Sequence, residues 1–312
     1  MLARLQQAIT LGLLVLAAAW AWWFGRQGDW VWALGGAALV LFGYALFLAL
    51  EFLLLSVVRA GDPAPRATAG QLLRAWWGEV LSAPRVFCWR QPFRSRAEPD
   101  HLPAQARGRL GVVLVHGFVC NRGFWNPWMR RLRAAGVPFV AVNLEPVFGR
   151  IDEYTSIVDE AVRRVRGTTG RAPLVVAHSM GGLAVRAWLS RCADADAVEH
   201  VVTIGSPHAG TWLARFGVTP NGLQMRRPNA WLDELRAAER SRGGDAAYRR
   251  FTCFYSHCDN IVFPPSTATL PGADNRHVPG SAHVHLAAQP EVLEAVWSRL
   301  SASNSGAAAT RR

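Results

Sequence analysis

The sequence predicts an α/β protein with a mostly parallel, doubly wound sheet, preceded by two transmembrane helices. Three observations carry that expectation. From position 110 onward, short apolar stretches alternate with amphipathic ones, the pattern of strands buried on both faces and joined by crossover helices. Before position 60 lie two apolar runs, each close to the ~20 residues that cross a bilayer. The short segments after the predicted strands are rich in Gly, Ser, His and Asp, where an open parallel sheet binds its ligands.

The first apolar run is residues 9–24 and the second residues 30–50, separated by the turn "GRQGD". Trp20, Trp22, Trp23, Trp30 and Trp32 crowd that turn, and indole rings favour the membrane interface. Residues 1–58 therefore read as a helical hairpin with both ends on one side of the bilayer. Arg4 precedes the first run and only Arg26 sits in the turn, whereas Arg59, Arg66, Arg74, Arg85, Arg90, Arg94 and Arg96 follow the second. The positive-inside tendency then places the protein in the cell inner membrane, multi-pass, with its large domain cytoplasmic. A cleaved signal peptide is the alternative, and the second run directly behind the first argues against it. Glu51, at the inner end of the second run, is expected to reach the headgroup region.

Residues 59–108 form a connector rich in Pro and Arg. Within it, Leu72, Leu73, Trp76, Trp77, Val80 and Leu81 recur at helical spacing over 69–87, which suits either an interfacial helix or one packed on the domain. The sheet domain spans 109–302. Its strands are expected at 110–115, 137–142, 173–177, 199–204, 251–256 and 274–278, with helices at 124–135, 152–166, 180–192, 229–241 and 289–301. Residues 205–250 form a candidate cap insertion, and 303–312 a disordered tail.

Composition removes several functional classes. The chain has 312 residues and a net charge of +12, but all 34 basic residues are arginine and they are scattered. Nucleic acid is therefore not an expected partner. With no lysine, Schiff-base chemistry and the phosphate-loop lysine are excluded. Cys88, Cys120, Cys192, Cys253 and Cys258 are odd in number and lack paired spacing. Cys253, His257 and Cys258 lack a second half for a zinc site, so the cysteines are expected to be buried and structural.

The segment "VVAHSMGG" at 175–182 follows a predicted strand and opens a predicted helix. That is the setting of the nucleophile elbow G-x-S-x-G, with Ala177 in place of the first glycine. A serine hydroxyl needs a histidine base, a carboxylate to orient the base, and backbone N–H donors for the oxyanion. Ser179 is the expected nucleophile; Ser206, before Pro207, is expected to shape its loop. The acid follows the serine and the histidine comes last in such folds. Asp259 fits by position, while Asp233 and Asp245 lie in a polar insertion and Asp274 begins a strand. His277, His283 and His285 compete for the base; His277 lies within a strand, and His283 is favoured by placement. The oxyanion donors are expected to be the N–H of Met180, after the serine, and that of Phe118 in "HGF". His116 is expected to order that loop, His178 to pack beside the elbow, and His208 to be a loop residue.

Together "VLVHGF", "AHSMGG", "GSPHAGT", "YSHCDNIVF" and "AHVHL" resemble the α/β-hydrolase superfamily, within it the esterase/lipase branch with its small bacterial lipases, over residues 110–300. The resemblance implies a triad of Ser179, Asp259 and His283, oxyanion donors Phe118 and Met180, and ester hydrolysis through an acyl-enzyme without metal or cofactor. With the membrane hairpin, it implies a membrane-anchored serine esterase or lipase acting on lipid or long-chain acyl esters at the bilayer. The same triad would serve a thioesterase or an acyltransferase. A non-catalytic, permease-like membrane protein is the reading from another class, and the complete triad argues against it.

Overall fold

The computed structural model describes residues 1–58, 61–194 and 196–309, and the side chains of 1–58, 61–194, 196–243 and 246–303. Arg59, one of the arginines used to orient the hairpin, and the side chain of Asp245 lie outside the described residues.

Helix α1, Leu2–Gly25, is one continuous apolar helix of 24 residues, about 36 Å long at ~1.5 Å per residue and so long enough to cross a bilayer core. It packs on α2, Trp30–Phe42, and Trp20 Nε1 donates to the Trp32 carbonyl across the turn at 2.9 Å. The second apolar run is not one straight helix. It breaks at Gly43 and continues as α3, Tyr44–Val58, with a bend of 52°. Alone, the 13 residues of α2 rise only about 20 Å, short of the ~30 Å hydrocarbon core. The bend has a cause further along. Phe52 and Leu55 of α3 pack with Cys258, Phe263 and Ala282 of the sheet domain, and Leu48 and Glu51 are buried on the same helix. Glu51 therefore does not reach a headgroup region: it is 5% exposed, and its Oε2 accepts from Asn260 Nδ2 at 2.6 Å.

Helix α4, Ala69–Pro84, starts at a capping box in which Thr68 and Gln71 exchange side-chain and backbone hydrogen bonds. One face meets the protein and buries Ala75 and Glu79, while Leu73, Trp77 and Leu81 remain exposed on another. The helix thus packs on the domain and leaves an apolar face exposed. It runs on through a wider π-type turn, Arg85–Arg90, into the short α5, Gln91–Arg94.

The sheet has six strands, all parallel: β1 Val112–Val115, β2 Phe139–Ala141, β3 Leu174–His178, β4 His200–Ile204, β5 Phe251–Tyr255 and β6 Asp274–His277, in spatial order β2-β1-β3-β4-β5-β6. Each expected strand is present, one or two residues shorter at its ends in most cases. Alternate side chains feed two cores. Val113, Val115, Val175, Ala177, Val201 and Cys253 share one with α7, Thr155–Thr169, and α8, Met180–Leu189. Val112, Leu114, Val176, Val202, Ile204 and Phe254 share the other with α6, Asn126–Ala134, and α12, Pro290–Ala309. The last helix extends past its expected end at 301, through most of the segment expected to be disordered; positions 310–312 lie outside the described residues. Of the cysteines, Cys120, Cys253 and Cys258 are buried, but Cys88 is exposed and Cys192 half-buried. Cys88 lies on the exposed side of the turn after α4, so burial does not hold for all five.

The insertion contributes α9, Pro220–Gln224, and α10, Ala230–Ser241. Asn221 Nδ2 donates to the Val147 carbonyl and the Trp212 N–H to that of Phe263, so this segment touches the loops after β2 and β5. It is anchored on α8 by Arg186, fully buried, whose guanidinium grips Glu239 of α10 with two bonds of 2.8 and 2.6 Å. Asp233 is exposed and Asp274 pairs with Arg276, both away from the loops after the strands. Removing one partner of a buried, bidentate pair leaves a charge unpaired, so Glu239→Ala should cost about 3–5 kcal/mol of stability. Chemical denaturation of the purified protein, with Arg186→Met/Glu239→Leu as the paired replacement recovering most of the loss, measures this.

Candidate active site

Ser179 stands between β3 and α8 with φ 55° and ψ −132°. Positive φ is strained for a residue with a Cβ, by about 1–3 kcal/mol, and is kept only where neighbours impose it. Here the Ser179 N–H donates to the Ile204 carbonyl at 2.9 Å, and its carbonyl accepts from Gly182 N–H at 3.0 Å. A Cβ on Gly181 would lie 2.6 Å from the His116 carbonyl oxygen and 2.8 Å from that of Val115, which no side-chain adjustment relieves. Ala177 sits fully buried inside β3, its methyl within the core shared with α7 and α8.

The loop after β1 lies against the serine. Gly117 is pressed so closely to it that a Cβ there would fall 2.6 Å from Ser179 Cβ. His116 orders this loop: Nδ1 bonds the Gly117 carbonyl at 2.9 Å, so it carries the proton, and Nε2 accepts the Leu144 N–H at 3.0 Å. Burial lowers the pKa of this imidazole to about 4, which suits a neutral ring accepting at one nitrogen. Among the described residues, neither the Phe118 nor the Met180 backbone N–H has a hydrogen-bond acceptor. Met180 follows the serine directly, and Phe118 follows Gly117, which lies against it.

Asp259 and His283 meet behind it. Asp259 is 2% exposed, and both carboxylate oxygens approach His283 Nδ1, at 3.0 and 2.9 Å. Asp259 Oδ1 also accepts the N–H groups of Ile261 and Val262 at 2.9 and 2.8 Å. Gly205, at φ 56°, leaves room for the pair; a Cβ there would stand 2.9 Å from Asp259 Oδ2 and 3.2 Å from His283 Nδ1. The buried His283 would be pushed down by desolvation, but Asp259, then Glu79 and Glu51, hold its pKa above the ordinary value. Ser179 Oγ makes no hydrogen bond among the described residues, and catalytic contacts of this kind often close only with substrate bound.

The competing histidines point elsewhere. His285 lies against Gly78 of α4 and bonds Gln289. His277 packs against His257 with the rings tilted and their centroids 4.6 Å apart. His178 packs on Phe124 at 4.4 Å and bonds the His283 carbonyl through Nε2, its pKa held well below the usual value by burial. His208 is buried and meets Thr203 Oγ1 at 3.0 Å. Ser206 is fully buried against Gly182.

Three residues at this site escape sequence reasoning. Asn260 Oδ1 accepts the His283 N–H at 3.2 Å, and its Nδ2 bonds Glu51. Glu79 accepts the N–H groups of Val284 and His285 at 3.0 and 3.1 Å. No spacing rule announces such partners, because Glu51 and Glu79 lie over two hundred positions from the groups they bond. The one available signal was a carboxylate within an apolar run, which is costly unless paired.

The model of the alpha/beta hydrolase family matches residues 112–296, more than half of the chain. No curated protein matches the sequence. Among solved structures, the mature lipase BlEst2 of Bacillus licheniformis superposes with a TM-score of 0.54 at 16% identity, covering 64% of this chain and 95% of that one. Lipase B of Aspergillus fumigatus gives 0.51 at 24% identity, covering 62% and 53%. At these identities the likeness is one of fold.

A histidine whose folded pKa is raised stabilises the fold fully below its unfolded value, near 6.5, and loses that contribution as pH rises through the folded value. His283 should therefore titrate above 6.5 in histidine-resolved NMR, and Asp259→Asn should lower its midpoint. The stability difference between wild type and Asp259→Asn, read by denaturation at several pH values, should shrink as pH climbs through the wild-type midpoint.

Proposed function

The chain belongs to the alpha/beta hydrolase family, and from that premise we propose that it is a membrane-anchored serine esterase of the lipase type. The buried Asp259–His283 pair, set beside a strained serine, is the observation that carries this reading. With its proton held on Nδ1 by Asp259, the imidazole presents Nε2 as base. Ser179 Oγ attacks the acyl carbonyl carbon while His283 takes its proton. The carbonyl oxygen becomes an oxyanion received by the Phe118 and Met180 N–H groups. Collapse breaks the bond to the alcohol, which leaves with the proton from His283. Water, activated by the same imidazole, then cleaves the acyl-serine ester and frees the acid. Asp259 holds the ring through Nδ1 and stabilises the imidazolium.

Lipids or long-chain acyl esters are the proposed substrates, because α1 and the bent α2–α3 pair offer apolar lengths suited to a bilayer and α4 exposes Leu73, Trp77 and Leu81 beside the domain. In this reading both apolar segments enter the inner membrane and the sheet domain lies on the cytoplasmic side.

Ser179→Ala should abolish hydrolysis of p-nitrophenyl acyl esters and labelling by a fluorophosphonate probe, while the protein stays folded. Undiminished hydrolysis in that variant would sink the assignment. A fusion after residue 312 should report a cytoplasmic end; phosphatase activity there, which requires the periplasm, would reverse the topology.

A further inference from the structure

The turn that carries His283 is held from outside the sheet domain. It belongs to α11, His283–Leu286, a helix too short to satisfy its own leading N–H groups. Three consecutive ones are taken by side chains. Asn260 accepts from His283, and Glu79 accepts from Val284 and His285. Asn260 follows Asp259 directly, so the same amide that holds the base also sits next to the acid. Its other end is fixed by Glu51 on α3, at 2.6 Å.

Both carboxylates are almost completely buried, Glu51 at 5% and Glu79 at 2% exposure. Burying a carboxylate is unfavourable unless it is fully hydrogen-bonded, and an apolar side chain would pack α3 or α4 on the domain at less cost. What the carboxylates supply that leucine could not is hydrogen-bond acceptors in fixed places, Glu79 for the backbone of the base's turn and Glu51 for Asn260; burial raises the pKa of the Glu79 carboxyl to about 7. The charged and titratable groups facing His283 are Asp259, Glu79 and Glu51, with His178 at 4.7 Å between ring centroids and neutral.

We infer that Glu79 and Glu51 are positioning residues for the reaction assigned to Ser179 and His283, so that the N-terminal apolar segment and its connector are working parts of the site as well as a tether. The inference rests on the triad reading, and its test separates the two. In Glu79→Gln one oxygen and the charge are lost, leaving at least one N–H without an acceptor. In Glu51→Gln an oxygen remains for Asn260 and only the charge goes. In Glu51→Leu the link to Asn260 is cut.

The measurement is kcat, KM and the pH profile on a soluble short-chain p-nitrophenyl ester, with full-length protein in detergent. Glu79→Gln and Glu51→Leu should lower kcat by up to about 10²-fold, the scale of a base misplaced by ~1 Å, with KM little changed. Glu79→Asp should recover part of the loss. Glu51→Gln, which keeps an oxygen for Asn260, should keep most of kcat. Fluorophosphonate labelling of the wild type at Ser179 tests the triad reading by itself. If the wild type labels while Glu79→Gln and Glu51→Leu both keep the wild-type kcat, the positioning role is overturned and the triad stands. Should Glu79→Gln not fold, the two Glu51 variants decide the matter.

Discussion

The contact between Asp259 and His283 is the constraint on which the rest of the site depends. The two residues lie 24 positions apart and must bring a carboxylate and an imidazole to 2.9 Å in a region closed to water. The parallel pairing of β5 with β6 delivers both loops to the same edge of the sheet. Gly205, at the end of β4, leaves the space that any side chain would fill. Ile261 and Val262 donate to the carboxylate, so the buried acid keeps hydrogen-bond partners in place of water. Every one of these features is a backbone arrangement, and each serves the one side-chain pair.

The N-terminal helices reach this site from two sides. Gln6 of α1 bonds Gln91 and approaches the Val119 carbonyl, in the loop that offers the Phe118 N–H. Gln91 in turn accepts the Asn121 N–H and donates to Cys120. On the opposite side Glu51 and Glu79 hold the Asp259 and His283 loops. A tether need only be apolar and long. Polar side chains placed where the chain meets the catalytic loops, and buried there, imply that the relative position of helix and loop matters.

Much of the fold was legible in the sequence because its signals are local. Apolar strands and amphipathic helices leave their periods in any window of ten residues, and all six strands lie where those periods put them. The elbow was legible for the same reason. The choice among His277, His283 and His285 was less so, since it turns on which way α11 sends each ring. The third residue of that turn, His285, faces α4 and Gly78, whereas the first, His283, faces Asp259. The bend at Gly43 and the burial of Glu51 could not be read, because both follow from α3 docking on a domain far away in sequence. Composition suggested one straight helix there, and the run bends by 52° instead.

The departure at Ala177 shows which part of the elbow the physics demands. Its neighbours across the sheet are Val115 and Thr203, and strand side chains stand away from the ladder. A methyl at this position therefore adds to a core and meets no backbone. Gly181 is the opposite case. Its missing Cβ would press on the carbonyl oxygens of Val115 and His116, which belong to the strand and loop that bring Phe118 to the serine. Moving them to make room would also move the loop that carries Phe118, the oxyanion donor in the proposed mechanism. Gly181, two positions after the serine, is thus tied to the backbone of the site, whereas Ala177, two before it, sits in packing.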